Sequence, residues 1–391
     1  MNLRIGQISA LGQSIWCDSI SRSLIDSGRL SSLIDDGVVG MTSNPTIFHK
    51  AISGSSDYDG AIEKLVAAGK DAPGVYEALT VTDVRDAADL LRPVFDRTDG
   101  VDGRVSLEVN PHLAHDTQGT VAEARHLFNT LDRPNILIKV PATEEGIGAI
   151  ETLISEGVSV NVTLIFSLEM YAKVMEAYIR GLESLRKPTD SNPCSSGEVS
   201  GVVSVASFFV SRIDTLVDKK LTKLMDEDPS PERQRRVSPL LGKAAVGNAK
   251  LAYQRYKAVF HGERFAKMRR QGARVQRPLW ASTSTKNPAY SDTLYVDTLI
   301  GPETVNTLPL ATIDAVKDHA TPALTIEKDL NEYRESMEGI EAGGVSMDEV
   351  TGELIAAGVK SFADSFDLLM SDIEAKVARE THGFESVGFQ G

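Results

Sequence analysis

The sequence predicts an α/β fold arranged as a single (β/α)₈ barrel, and three observations support this prediction. Eight short apolar segments recur along the chain, helical patterns lie between most of them, and no G-x-G-x-x-G motif opens a helix after the first segment. Apolar segments rich in Val and Ile are typical of parallel strands that are covered on both faces. An open, doubly wound sheet shares this local pattern, but eight strand–helix units in one large domain favour the closed barrel.

Each predicted strand ends in polar residues. The eight strands are predicted at residues 13–19, 37–45, 104–111, 135–143, 159–167, 201–209, 277–285 and 304–310. Helical patterns lie at residues 121–131, 144–157, 167–185 and 208–225. This alternation of strands and helices indicates βαβ units and a parallel sheet.

Some segments fall outside this pattern, although no linker divides the chain into separate domains. Residues 186–200 and 226–239 are polar and rich in Pro and Ser, so we expect surface loops there. The loop at 186–200 precedes a strand and therefore belongs to the barrel face away from the reactive groups. One long helix is predicted over 240–272, and residues 325–391 are predicted to form a helical C-terminal extension.

Composition narrows the possible partners. The 391 residues include 41 basic and 55 acidic side chains, which give a net charge of −14. This balance argues against general nucleic-acid binding, which needs clustered cations, but allows a small anionic substrate. The sequence contains no run of about 18 apolar residues that could span a membrane. With no signal-like N-terminus and only Cys17 and Cys194, we expect a reduced, cytoplasmic protein.

The reactive groups of a (β/α)₈ barrel project from the C-terminal ends of its strands. Read in order, these ends carry Asp18, Thr42, Ser43, Asn44, Glu108, Asn110, Lys139, Thr143, Asn161, Thr163, Ser207, Arg212, Ser282, Ser284 and Lys286. Each has a simpler interpretation: Asp18 could cap a helix, Asn44 could start a turn, and Glu108 could form a strand-end ion pair. Polar groups inside apolar strands are nevertheless costly, so their joint occurrence favours a site.

Lys139 lies within the apolar segment Ile136–Pro141 and has two interpretations. Its methylenes could cover apolar surface while the ammonium reaches water. Alternatively, burial could favour a neutral amine that attacks a carbonyl to form a Schiff base. Such an imine withdraws electrons, so a neighbouring carbon–carbon bond can break. Two carboxylates could then serve as acid and base, and a pair of cations could hold a phosphate.

Five segments together resemble transaldolase of the pentose phosphate pathway, and the resemblance covers about Gln13 to Leu310. They are MTSNPTIF (41–48), SLEVNP (106–111), NILIKVPAT (135–143), SVNVTLIFS (159–167) and SVASFFVSRID (204–214). The long chain is similar to the actinobacterial and cyanobacterial branch of that family. The resemblance implies transfer of a dihydroxyacetone unit from sedoheptulose 7-phosphate to glyceraldehyde 3-phosphate, without a cofactor or a metal. It also implies sugar phosphates as partners and either a monomer or a homodimer.

The resemblance implies a role for each site residue. Lys139 would form the Schiff base, Glu108 would act as its acid/base through a water held by Thr163, and Asp18 would serve the carbon–carbon cleavage. The remaining residues would bind substrate: Asn44, Asn161, Ser207, Phe209, Arg212 and Lys286. Lys286 stands where many relatives carry an arginine, in the stretch ASTSTKN. Lysine would bind phosphate there as a point charge rather than as a fork.

Two other functions remain possible at this point. A hydrolytic aldolase of the same superfamily would release free dihydroxyacetone from fructose 6-phosphate. Those relatives typically carry glutamine in place of Glu108 and tyrosine in place of Phe209, so both positions favour the transferase. A non-catalytic barrel used as a binding protein would show gaps in the polar set, and the sequence shows essentially none.

Overall fold

The eight predicted strands are all present and close into one parallel barrel, so the predicted fold class is confirmed. The computed structural model describes residues 1–185 and 198–387. The strands follow one another around the barrel, and the last pairs with the first. They are β1 (Gln13–Cys17), β2 (Gly40–Thr42), β3 (Arg104–Glu108), β4 (Ile136–Pro141), β5 (Val160–Ile165), β6 (Ser204–Phe209), β7 (Arg277–Ala281) and β8 (Thr304–Leu308).

Helices precede, connect and follow these strands. They are α1 (Leu3–Ala10), α2 (Arg22–Asp26), α3 (Arg29–Asp36), α4 (Pro45–Ser53), α5 (Asp59–Ala67), α6 (Ala72–Arg97), α7 (Thr117–Leu131), α8 (Glu144–Ser155), α9 (Leu168–Glu183), α10 (Ser211–Glu227), α11 (Pro231–Val237), α12 (Ala244–Phe260), α13 (Glu263–Arg269), α14 (Leu294–Asp297), α15 (Leu310–His319), α16 (Leu330–Ala342) and α17 (Met347–Val387). None of the helices in the described ranges is long and apolar enough to cross a membrane.

The strands are apolar because the barrel is buried on both sides. Every residue of β4 and β5 is buried, including Lys139 and Asn161. The register pairs Glu108 with Lys139, and Lys139 with Asn161, so three polar residues lie side by side on adjacent strands. Alternation along a strand then directs these side chains to one face and their apolar neighbours to the other. The polar face is the barrel interior, where the site forms.

Two predictions outside the barrel are wrong. The predicted loop at 226–239 contains helix α11, which Ser230 caps by accepting a hydrogen bond from the Arg233 amide at 3.3 Å. Ser followed by Pro is a helix-start signal, although the same composition also marks loops. The predicted single helix over 240–272 is two helices, α12 and α13, because Gly262 adopts an extended conformation between them.

The remaining predicted segments differ in how far the structure describes them. Most of the predicted loop at 186–200 lies outside the described residues, and its last two residues enter a 3₁₀ turn, Val199–Gly201. Of the predicted C-terminal extension at 325–391, α16 and α17 are helical, and residues 388–391 lie outside the described residues.

Helix α17 lies across the C-terminal end of the barrel and is tied down on several sides. Ser365 is 2.8 Å from the Thr46 hydroxyl on α4, and the Lys376 ammonium donates to Asp59 of α5 at 2.6 Å. On the far side, His112 lies 2.6 Å from Asp367. These contacts hold a helix from the end of the chain over the opening of the barrel.

Candidate active site

Lys139 is buried and faces a carboxylate. Its side chain is about 5% exposed, and its ammonium donates to Glu108 Oε2 at 3.0 Å and to the Ser43 carbonyl at 2.9 Å. The Phe362 ring of α17 lies 5.7 Å from the same nitrogen. The interpretation in which Lys139 extends into bulk water is therefore wrong, and the amine lies inside the barrel.

A cavity of about 290 Å³ opens above Lys139 at the C-terminal ends of the strands. Eight of the ten predicted site residues line it: Asp18, Asn44, Lys139, Thr163, Ser207, Phe209, Arg212 and Lys286. Ser282 and Ser284 line it as well. The structure thus brings together side chains that are up to 268 positions apart in the sequence, from Asp18 to Lys286.

The other two predicted residues lie immediately beside this cavity. Glu108 contacts Lys139 and lines a neighbouring cavity together with Asn110 and Glu123. The Asn161 amide donates to the Ser106 hydroxyl at 3.0 Å and accepts from the Ser207 hydroxyl at 2.7 Å. Asn161 therefore supports Ser207 from below, and the ion-pair interpretation of Glu108 is correct, with Lys139 as its partner.

Both carboxyl groups near the amine have raised pKa values. Burial raises the pKa of Glu108, and the charge of Lys139 offsets only part of that effect. Burial likewise raises the pKa of Asp18, opposed by the charge of Lys139 and by the Thr42 hydroxyl, which donates to Asp18 at 2.7 Å. A carboxyl group whose pKa moves toward neutrality can both give and take a proton. Asp18 does not cap α2, because Ser21 does.

Two uncharged groups have hydrogen-bonding capacity directed at the cavity. Asn44 caps α4 by accepting a hydrogen bond from the Ile47 amide at 3.0 Å, which fixes its side chain at the cavity wall. Asn44 thus begins a helix rather than an isolated turn, and this role is compatible with a place in the site. The Thr163 hydroxyl is buried and has no hydrogen-bond partner in the part of the chain that the structure describes. Buried polar atoms normally have partners, so a water or a ligand atom fits beside Thr163.

Three cations surround the outer part of the cavity. Arg212 stacks on Phe209, with its guanidinium carbon 5.3 Å from the ring centre, and has no ion pair within the described ranges. The Lys286 ammonium donates to the Ser284 hydroxyl at 2.7 Å. Lys50 of α4 also lines the cavity. Burial lowers the pKa of Lys286, and the charges of Arg212 and Lys50 add to this effect, so the three positive charges are close enough to repel one another.

Two residues near the strand ends have unusual backbone conformations, and one of them, Ser282, lines the cavity. Ser282 adopts a φ of 55°, and the neighbouring Leu164 adopts a φ of 58° beside an irregularity in the pairing of β5 with β6. Positive φ is costly for residues other than glycine, and such strain is concentrated at functional sites. Ser282 directly follows β7, and Leu164 follows the cavity residue Thr163 in β5.

Sequence reasoning missed Lys50, Thr307 and Phe362. Lys50 lies one helical turn after Thr46 and Ile47, so the helical period of the segment after Asn44 could have identified it. Thr307 projects from β8 and shares a 2.7 Å contact with Thr42. Phe362 had no sequence signal, because nothing in the pattern of α17 indicates which part of the barrel it covers.

Cys17 and the metal-ligating residue types add no further reactive group here. Cys17 is fully buried, and burial together with the charge of Asp18 raises the pKa of its thiol to about 12. Such a thiol is inert, which fits packing rather than redox chemistry. Within residues 1–185 and 198–387, no three His, Cys, Asp or Glu side chains are grouped as metal ligands.

Comparisons with known proteins agree with the geometry. The family model described as Transaldolase/Fructose-6-phosphate aldolase matches residues 15–373. A protein named Transaldolase from Thermobifida fusca is 46% identical over 97% of this chain and 100% of its own length. Transaldolase 2 of Streptomyces coelicolor is 47% identical over 95% of this chain and 97% of its own. Transaldolase of Trichodesmium erythraeum is 44% identical over 96% of this chain and 98% of its own length. The chain belongs to the transaldolase/fructose-6-phosphate aldolase family.

Proposed function

We propose that this protein is a transaldolase that acts through a Schiff base on Lys139. The observation that carries the proposal is a lysine about 5% exposed, paired with a carboxylate, at the base of a cavity ringed by a second carboxylate and three cations. The substrates we propose are sedoheptulose 7-phosphate and glyceraldehyde 3-phosphate, and the products are erythrose 4-phosphate and fructose 6-phosphate.

The first half of the reaction forms the imine. Glu108 lies 3.0 Å from the Lys139 nitrogen and can accept its proton, which leaves a neutral amine. The amine attacks the ketose carbonyl to form a carbinolamine, and Glu108 then protonates the departing hydroxyl so that water leaves. Thr163, which has an unused buried hydroxyl, is placed to hold the water that carries protons between Glu108 and the substrate.

The second half breaks and remakes a carbon–carbon bond. Asp18 takes the proton from the substrate hydroxyl on the departing carbon, an aldehyde leaves, and the bonding electrons pass into the iminium to give an enamine. The acceptor aldehyde then reverses these steps and recovers the proton from Asp18. The Thr42 hydroxyl orients the Asp18 carboxylate, Asn44 and Ser207 line the cavity and would bind the dihydroxyacetone unit, and Asn161 holds Ser207 through a 2.7 Å hydrogen bond.

The phosphate end of the substrate fits the outer cations. Arg212 and Lys286 were expected to bind it, and we add Lys50 as a third ligand. Burial removes water from Arg212, and no carboxylate among the described residues is paired with it. A dianionic phosphate would compensate the repulsion among the three positive charges, and fork-shaped guanidinium groups suit its geometry.

The experiment that tests this proposal is borohydride reduction in the presence of fructose 6-phosphate, followed by peptide mapping. We expect a dihydroxyacetone-derived adduct on Lys139. Lys250 is the internal control, because it is also buried but its ammonium donates to the Thr325 and Lys328 carbonyls away from the cavity. An adduct on Lys250, or none on Lys139, would contradict the mechanism.

A second measurement separates transfer from hydrolysis within the family. Dihydroxyacetone release from fructose 6-phosphate should be slow without an acceptor aldehyde, and transfer should be fast with one. Glu108 and Phe209 support this expectation, since the hydrolytic relatives typically carry glutamine and tyrosine there. Fast release without an acceptor would assign the chain to the hydrolytic branch while leaving the Schiff base intact.

A further inference from the structure

The opposite end of the barrel contains a second, larger cavity that the proposed reaction does not use. Its volume is about 770 Å³, and it lies at the N-terminal ends of the strands. Five arginines of the described chain line it: Arg97, Arg104, Arg269, Arg274 and Arg277. The fold itself does not require charged groups at this end, because the N-terminal face of such barrels normally contributes only to stability.

Arg104 is the most unusual of these arginines. It is the first residue of β3, it is 4% exposed, and among the described residues its one hydrogen bond runs from the Nε–H group to the Gly100 carbonyl at 2.9 Å. The Nη1 nitrogen is buried and has no hydrogen-bond partner in residues 1–185 and 198–387. No ion pair with Arg104 occurs in the part of the chain that the structure describes. A guanidinium has five N–H donors, so most of its capacity is unused.

The neighbouring carboxylates form no ion pair with Arg104 within the described ranges, although the charge of Asp102 offsets part of the lowering of its pKa. Asp102 accepts from Arg277 at 2.9 Å, from the Trp16 indole at 3.2 Å and from the Ser14 hydroxyl at 2.8 Å, so its oxygens are occupied. Glu303, the other carboxylate at this cavity, accepts from the Tyr256 hydroxyl at 2.7 Å and lies 2.7 Å from His261.

Stacking compensates Arg104 only in part. The guanidinium carbon lies 5.1 Å from the centre of the Phe95 ring, but this contact is weaker than the cost of an unpaired buried charge. Burial, with the charges of Arg274 and Arg277, lowers the pKa of Arg104 to about 9, so the group stays charged near neutral pH. Excess positive charge therefore remains beside a cavity that is open to a ligand.

We propose that this cavity binds a phosphate-type dianion at the edge formed by Arg104 and Arg274. Arg274 is suited to this position because its side chain is 26% exposed and its only carboxylate partner within the described ranges, Asp99, is fully exposed and 3.3 Å away. The rest of the wall is largely apolar and includes Val39, Val101, Val203 and Pro302. The dianion is therefore either free phosphate or the head group of a compound with an apolar body.

The test measures binding of inorganic phosphate and of phenyl phosphate by calorimetry in variants that separate the two ends of the barrel. Arg212→Ala weakens the cavity above Lys139, and we expect one phosphate site to survive in that background. Adding Arg104→Met, which keeps a long side chain over Phe95, should abolish the surviving site. Adding Arg274→Gln instead should weaken it at least about tenfold, because one charge-assisted contact is lost. Arg334→Gln, an exposed arginine of α16, should change nothing.

Each outcome decides the proposal. If phosphate binding disappears entirely in Arg212→Ala, the site does not exist. The same holds if binding persists unchanged after Arg104→Met and after Arg274→Gln. If Arg104→Met does not fold, Arg274→Gln alone decides, because that side chain is partly exposed and replaceable. Tighter binding of phenyl phosphate than of phosphate supports an esterified ligand, and equal binding supports the free anion. Turnover in Arg104→Met should equal that of the wild type. Because the test measures binding and not turnover, failure of the proposed reaction would not affect it.

Discussion

Two regions of this molecule bury a lysine, and they use it in different ways. Lys250 of α12 donates to two backbone carbonyls, at 2.5 and 2.7 Å, and its nitrogen lies 4.9 Å from the centre of the Tyr333 ring. Lys139 has one carbonyl, one carboxylate and an open cavity. Burial alone therefore does not make an amine reactive. What distinguishes Lys139 is an adjacent proton acceptor and space for a carbonyl compound beside it.

The largest effect that we expect comes from removing the reactive amine. Lys139→Ala should reduce kcat/KM by at least about a thousandfold, because no other group can form the imine. Its fold should persist, since the neighbouring apolar residues of β4 retain their packing. Turnover assays and circular dichroism check both expectations, and turnover near the wild-type rate would refute the Schiff base.

Asp18→Asn should separate the two halves of the reaction. An amide cannot take the hydroxyl proton, so we expect transfer to fall about 10²–10⁴-fold while the imine still forms. Borohydride trapping on Lys139, measured next to turnover, tests this. Loss of trapping together with turnover would mean that Asp18 is needed before cleavage.

Lys250→Met should show the reverse behaviour of Lys139→Ala. Removing the ammonium leaves two carbonyls near Thr325 and Lys328 without their donor, which should cost about 1–3 kcal/mol of the free energy of unfolding. Kinetic constants should stay at wild-type values. Urea unfolding provides the measurement, and a loss of turnover at full stability would contradict the structural role of Lys250.

Lys50→Gln tests the cation that the sequence did not identify. We expect KM for the phosphorylated substrates to rise about tenfold with kcat little changed, because one charge on the phosphate is lost. Lys64→Gln, an exposed lysine of α5 outside the cavity, is the matched control. Equal kinetics in the two variants would remove Lys50 from the phosphate site.

The last expected effect concerns pH. Burial lowers the pKa of Lys250 from 10.5 to about 8, so the unfolded chain binds this proton more tightly than the folded chain does. The contribution of Lys250 to the free energy of unfolding should therefore rise between about pH 8 and pH 10.5. The difference between wild type and Lys250→Met, followed by urea titration across that range, isolates it. A difference that is flat or falls with pH would contradict the assignment.

The sequence predicted the barrel and most residues that line the cavity above Lys139, because both depend on local patterns. Strands covered on both faces appear as continuous apolar runs. The ends of these runs therefore mark the ends of the strands, and this is how Lys139, Glu108 and Thr163 were identified. Lys250 illustrates the limit: it lies in a segment predicted as part of one long helix, and its carbonyl partners are about 75 positions away. Pairing between distant segments leaves no periodic signal in one sequence.

The same limit explains the other errors. Ser230 and Pro231 fit both a loop and a helix start, and only the packing of the following residues decides between them. Phe362 depends on where α17 crosses the barrel, which is a tertiary property. Arg104 was predicted to lie at a strand start, but its lack of a carboxylate partner among the described residues appears only when Asp102 is seen to be occupied by Arg277, Trp16 and Ser14.

The position of α17 has a consequence for biosynthesis. The ring beside the reactive nitrogen comes from Phe362, whereas every strand of the barrel is complete by Leu308. When all eight strands have been synthesised, the helix that covers the Lys139 cavity, α17, has therefore not yet been made. The cover over Lys139 therefore depends on the part of the chain that is synthesised last among the helices described.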